Sequence, residues 1–81
     1  MTPNEEREAL ISRKDERAEI IGYIVAAQPV EIHRPMTLAE AINFVAGLTE
    51  SKDTVRVQLE GGMILRWDDC VDLRRRYKDQ L

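Results

Sequence analysis

The sequence predicts an α+β fold, with helices packed on one face of a small antiparallel sheet. Three features carry that expectation. Thr2-Pro3-Asn4-Glu5 and Thr37-Leu38-Ala39-Glu40 both have the Thr-x-x-Glu spacing of a helix start. Val55 to Trp67 alternates apolar and polar side chains around Gly61-Gly62, as a β-hairpin does. Asp68 to Leu81 places acids first and bases last, the order that suits a helix dipole.

The first predicted element is a long helix from Pro3 to Ala27. Thr2 caps it, Pro3 suits its first position, and no proline follows until Pro29. Its halves differ. Between Thr2 and Arg17 the only large apolar residues are Leu10 and Ile11, and residues 1–17 form a charged arm that projects, pairs with a partner helix or frays. Ala18 to Ala27 is apolar at nearly every position, the mark of a helix buried all round. One side of that half, with Ile20, Ile21 and Ile24, is the expected dimer interface. "QPVEIHRP", Gln28 to Pro35, then reads as a short edge strand or an extended linker, with Val30 and Ile32 alternating with Glu31 and His33.

A second helix spans Leu38 to about Leu48. Thr37 and Glu40 form its capping box and Met36 stands at the staple position. Leu38, Ala41, Ile42, Val45 and Leu48 mark its core stripe, while Phe44 points to a second packing surface. In the hairpin, a loop of Gly61-Gly62 alone mixes apolar groups onto both faces. A loop of Glu60-Gly61-Gly62 sets Leu59 opposite Met63, Val57 opposite Leu65 and Val55 opposite Trp67, all six on one face. Burial selects that register, with Gly62 in the left-handed position. Arg56, Gln58, Ile64 and Arg66 then share the outer face. The last helix is capped by Asp68 or Asp69, and Cys70, Leu73, Tyr77 and Leu81 line its apolar side.

Eighty-one residues make a single domain, too small to hide much surface without help. One cysteine excludes an internal disulfide and one histidine argues against a metal, which leaves a partner chain, by default a second copy. A net charge of −3 gives no global attraction for nucleic acid. The lone thiol suits a reducing cytoplasm. The N-terminal run lacks a secretory pattern, and no apolar run reaches the roughly 18 residues of a membrane span.

Chemistry is sparse. Cys70 falls on an apolar helix stripe and His33 on the polar side of its segment, with no motif joining them as nucleophile and base. Asp68, Asp69 and Asp72 could hold a cation, but a helix start explains them without one. Gly61-Gly62 has neither the Lys-Ser/Thr nor the helix of a phosphate loop. The expected catalytic residues, cofactors and metal ligands are therefore none.

What remains is a small non-enzymatic module that binds another protein. Size, acidity and the missing catalytic set give it the character of phage or mobile-element accessory proteins that regulate or inhibit larger complexes, an analogy only. The polar hairpin face, Arg56, Gln58, Ile64 and Arg66, is the expected partner site. The alternative is a nucleic-acid-binding regulator using Arg74, Arg75, Arg76 and Lys78, although Trp67 to Leu81 balances four bases with four acids.

Overall fold

The computed structural model describes residues 2–32 and 34–81. The long first helix is the main correction. Helix α1 runs only from Pro3 to Ser12, its start fixed as expected by the Glu5 N–H donating to Thr2 Oγ1 at 3.2 Å. The chain then turns, and Arg17–Ile21 form strand β1, with Ala18 and Ile20 buried and Arg17, Glu19 and Ile21 exposed. That alternation has period two, not 3.6. β-Branched Ile20, Ile21, Ile24 and Val25 fit a pleated strand better than a helix. Gly22 completes the reason. It sits at φ +69°, and a Cβ built on it would lie 2.2 Å from the Thr54 carbonyl oxygen. The chain passes there too tightly for any side chain.

After Gly22 the apolar run folds on itself. Strands β2 (Ile24–Val25) and β3 (Gln28–Pro29) pair across a two-residue turn, Ala26-Ala27, at φ +51° and +62°. Ser51 holds this small ribbon: its Oγ accepts from the Ile24 N–H at 2.9 Å, and its hydroxyl donates to the Ile24 carbonyl. Alanine gains nothing from the left-handed region, where asparagine and glycine are at home. The double substitution Ala26→Asn, Ala27→Gly is therefore expected to raise stability by about 1–2 kcal/mol. A midpoint shift in urea unfolding with unchanged slope would show it. An unchanged midpoint would mean that the turn is not strained.

For Gln28 to Pro35 the structure takes part of each expected reading, strand at its start and connecting chain after it. Only Gln28 and Pro29 pair at its start, and residues 30–32 form no ladder beyond the Val30 N–H donating to Tyr23 O at 2.8 Å. His33 lies outside the described residues. Strand β4, Met36–Thr37, follows and pairs with β1 (Ala18 with Met36). Helix α2, Leu38–Ala46, carries the expected capping box between Thr37 and Glu40. Its first free N–H groups find carbonyls of the α1–β1 turn: Leu38 donates to Glu16 O at 2.8 Å and Ala39 to Lys14 O at 2.9 Å. Phe44 does meet a second surface, packing edge-on against Tyr23 with ring centres 5.5 Å apart.

Strands β5 (Arg56–Leu59) and β6 (Ile64–Arg66) pair in the expected register, Val57 with Leu65 and Gln58 with Ile64. The Leu59 N–H donates to Met63 O at 2.9 Å, so Glu60-Gly61-Gly62 is the loop. Gly62 has φ +93°, and Gly61 joins it at +92°. The apolar face is less complete than the register promised. Val55, Val57, Leu59 and Leu65 are buried, and Trp67 is half-buried as the first residue of helix α3 (Trp67–Arg76). Met63, however, is 49% exposed. It lines an open groove between β6 and helices α1 and α3, which Ile64 also borders. The α3 cap is corrected too. Arg66 is the capping position, and Asp69, in the third helical position, accepts the Arg66 N–H at 3.0 Å.

The four-stranded sheet has the order β4-β1-β5-β6, so β1 and β5 are central. Leu38, Ala41, Ile42 and Val45 of α2 meet Ala18, Ile20, Val55, Val57, Leu59 and Leu65 of the sheet side, and Cys70 and Leu73 of α3 complete the core. Helix α1 adds Ile11, 5% exposed, and is tied to α3 by Arg7 Nε and Asp72 Oδ2 at 2.6 Å. The architecture is α+β, three helices against a small antiparallel sheet.

Candidate functional site

Antiparallel pairing places directly opposed residues on one face of a sheet. The register therefore brings Arg56, Gln58, Ile64 and Arg66 together on the face turned away from the helices, as Arg56 opposes Arg66 and Gln58 opposes Ile64. Strand β1 widens that face. Glu19 opposes Gln58 and Ile21 opposes Arg56. Arg17 lies two residues before Glu19 on the same side. The rows across the sheet are thus Glu19–Gln58–Ile64 and Ile21–Arg56–Arg66.

Ile64 is 49% exposed and Ile21 39%, at opposite corners of this surface. Arg17, Glu19 and Arg66 are exposed, while Gln58 and Arg56 are half-buried. Arg56 Nη1 donates to the Val55 carbonyl at 2.7 Å, which fixes part of the guanidinium. Among the described residues none of these four charged groups forms an ion pair. Of these seven residues, Arg17, Glu19 and Ile21 are not among those the sequence singles out for this face, because the sequence predicts helix where β1 lies. The signal was the alternation from Arg17 to Ile21, overshadowed by the apolar run after it.

The chain matches no protein-family model, no curated protein and no solved structure.

The expected dimer interface does not form one surface. Ile20 is buried in its own core, Ile21 lies on the bare face, and Ile24 is half-buried in the β2–β3 ribbon. The all-round apolar helix that motivated it is absent from the fold. Arg74, Arg75, Arg76 and Lys78 are exposed at the end of α3. Two of them are engaged: Arg76 Nε lies 2.8 Å and Arg75 Nη2 3.5 Å from Asp72 Oδ1. Arg56 and Arg66 project from the side of the sheet opposite the helical layer, so the two basic groups do not merge.

Asp72 receives Arg7, Arg75 and Arg76 together. The Arg76 hydrogen bond, then that of Arg7 and the charges of both, outweigh desolvation and hold its carboxyl below the ordinary range. A carboxyl lowered in the folded state stabilises above its unfolded value of about 3.9, and that gain is lost as pH falls through the folded value. Asp72→Asn is accordingly expected to lower the melting temperature at pH 7, with the deficit closing below about pH 3.9. A deficit that persists undiminished at pH 2 would assign the loss to packing instead.

Among the described residues no group of three His, Cys, Asp or Glu side chains is placed to hold a metal. Asp69 and Asp72 are occupied by the contacts above. Cys70 is fully buried, and burial, with a smaller push from Asp69, raises its thiol to about 12. It is protonated at neutral pH. Its conceivable partner His33 lies outside the described residues. No helix among the described residues is long and apolar enough to cross a membrane.

Proposed function

We propose that this chain is a non-enzymatic, cytoplasmic protein-binding module that docks on a larger protein through the helix-free face of its sheet. One observation carries the reading. The face keeps Ile21 and Ile64 open to solvent at opposite corners, 39% and 49% exposed, beside charged side chains that have no ion-pair partner among the described residues. A small domain that must hide apolar surface to fold does not gain stability from these groups. Arginine is enriched at protein interfaces, and the two isoleucines offer apolar contact beside it. Acting as an accessory regulator or inhibitor, of the sort that mobile elements encode, is the role that fits a module with no chemistry of its own.

The test is affinity capture from the native cell with three forms of the chain. The parent is expected to retain a partner, Ile21→Asp with Ile64→Asp to lose it, and Lys78→Glu to retain it, all three melting alike. Retention by the double variant would overturn the reading. If Arg74→Glu with Lys78→Glu instead abolished binding to duplex DNA at low salt, the nucleic-acid alternative would replace it.

A further inference from the structure

We infer that the occupant of the helix-free face is an acidic amphipathic helix of the partner protein, with a carboxylate received between Arg56 and Arg66. This rests on the protein-binding reading above. Arg56 and Arg66 stand directly opposite each other on neighbouring strands. Like charges in that relation destabilise a sheet. Elsewhere the chain sets arginine against acid: Arg7, Arg75 and Arg76 on Asp72, and Arg13 on Glu16. Among the described residues, Arg56 and Arg66 are the arginines directly opposed across a ladder, and neither has an acid in an ion pair. Arg17 and Arg74 also lack an ion pair among the described residues, so it is the direct opposition of Arg56 and Arg66 across the ladder that offers a site for an anion, and two guanidinium forks suit a carboxylate.

The surroundings select the kind of anion. Ile21 and Ile64 flank the pair and ask for apolar contact, which a sugar–phosphate chain does not supply. None of the seven side chains is aromatic, so bases have nothing to stack on. Glu19, in the adjacent row, repels a polyanion laid across the sheet. A second copy is also disfavoured, since two such faces bring arginines together in three-to-one excess over glutamate.

The spacing selects a helix. Ile21 and Ile64 are separated by two strand intervals across the sheet and two residues along it, about 12 Å on the diagonal. Two helical turns span about 11 Å. Apolar residues at i and i+7 reach both isoleucines, and an acid at i+3 or i+4 comes down beside Arg56. This would mirror α2, which covers the other face of the same strands.

The probe is a synthetic helical peptide with leucine at i and i+7, glutamate at i+3 and i+4, and a fluorescent label. A second peptide carries lysine in place of glutamate. The acidic peptide is expected to shift the amide signals of residues 17–21, 56–58 and 64–66 and to bind about tenfold more weakly as salt rises from 0.05 to 0.3 M. Arg56→Glu with Arg66→Glu should lose the acidic peptide by about tenfold or more and gain the lysine peptide. Arg56→Gln with Arg66→Gln provides a milder version if charge reversal disturbs folding. Equal affinity for both peptides, absence of shifts on this face, or tighter binding of single-stranded DNA there would each overturn the inference. If cellular capture fails with the isoleucine variants but survives arginine reversal, the docking face stands and the acidic helix does not. If capture is indifferent to both, the protein-binding reading falls with it.

Discussion

Ile42→Ala is expected to lower the unfolding free energy by about 2–5 kcal/mol, the range for truncating a large buried aliphatic side chain. Ile42 has no exposed surface and lies on the stripe of α2 that meets both the sheet and α3. A domain of this length has roughly 4–12 kcal/mol in all. The substitution therefore removes a large part of its stability, and the melting temperature should fall by about 8 °C or more, on the order of 4–8 °C for each kcal/mol. Thermal unfolding followed by circular dichroism measures it. A drop of only a few degrees would mean that the surrounding side chains collapse into the space, and that the interior is less closely packed than full burial of Leu38, Ala41, Ile42 and Val45 implies.

Gly22→Ala should cost about 2–5 kcal/mol although it adds a single methyl group. Two terms combine. The backbone at φ +69° disfavours any L side chain by about 1–2 kcal/mol. The new Cβ would meet the Thr54 carbonyl oxygen at 2.2 Å, and backbone must move to relieve it, at about 1–3 kcal/mol. The comparison that isolates the effect is Gly61→Ala. That glycine also has positive φ, at +92°, but nothing lies within 4 Å of its Cβ position. Urea unfolding of both variants should show the smaller loss at Gly61. Equal losses would leave the backbone term alone responsible and remove the close approach as a cause.

Gly22 also marks the limit of what local sequence pattern conveys about this fold. Features that depend on a few neighbouring residues were legible. The Thr37–Glu40 capping box, the stripe of α2 and the hairpin register each follow from local spacing, and each is in the structure. The segment from Ala18 to Ala27 was not legible as strand and turn, for two physical reasons. Its turn uses Ala26-Ala27, which have no turn chemistry and are held in place by contacts such as those from Ser51. Its strand is recognisable only once β5 lies beside it, and β5 is remote in the chain. The same gap limited the candidate site. Arg56, Gln58, Ile64 and Arg66 came from the hairpin alone, whereas Arg17, Glu19 and Ile21 depended on β1. Met63 is the converse case. Its pairing was read correctly, but pairing sets which way a side chain points, and the placement of the helices decides whether it is covered.

The central pairing of β1 with β5 has a kinetic consequence. Ala18 meets Leu59 across about forty intervening residues that include α2. The ends of that long segment must meet before the sheet gains anything from the contact, so loop closure weighs on the folding barrier. Helix α2 and the β5–β6 hairpin are local and can form quickly, each with one apolar side still wet. Addition of β1 then completes the sheet and, in the same step, assembles the bare face from two remote parts of the chain. A peptide covering the hairpin would carry Arg56 and Arg66 yet lack Ile21, so the full surface exists only when folding is finished.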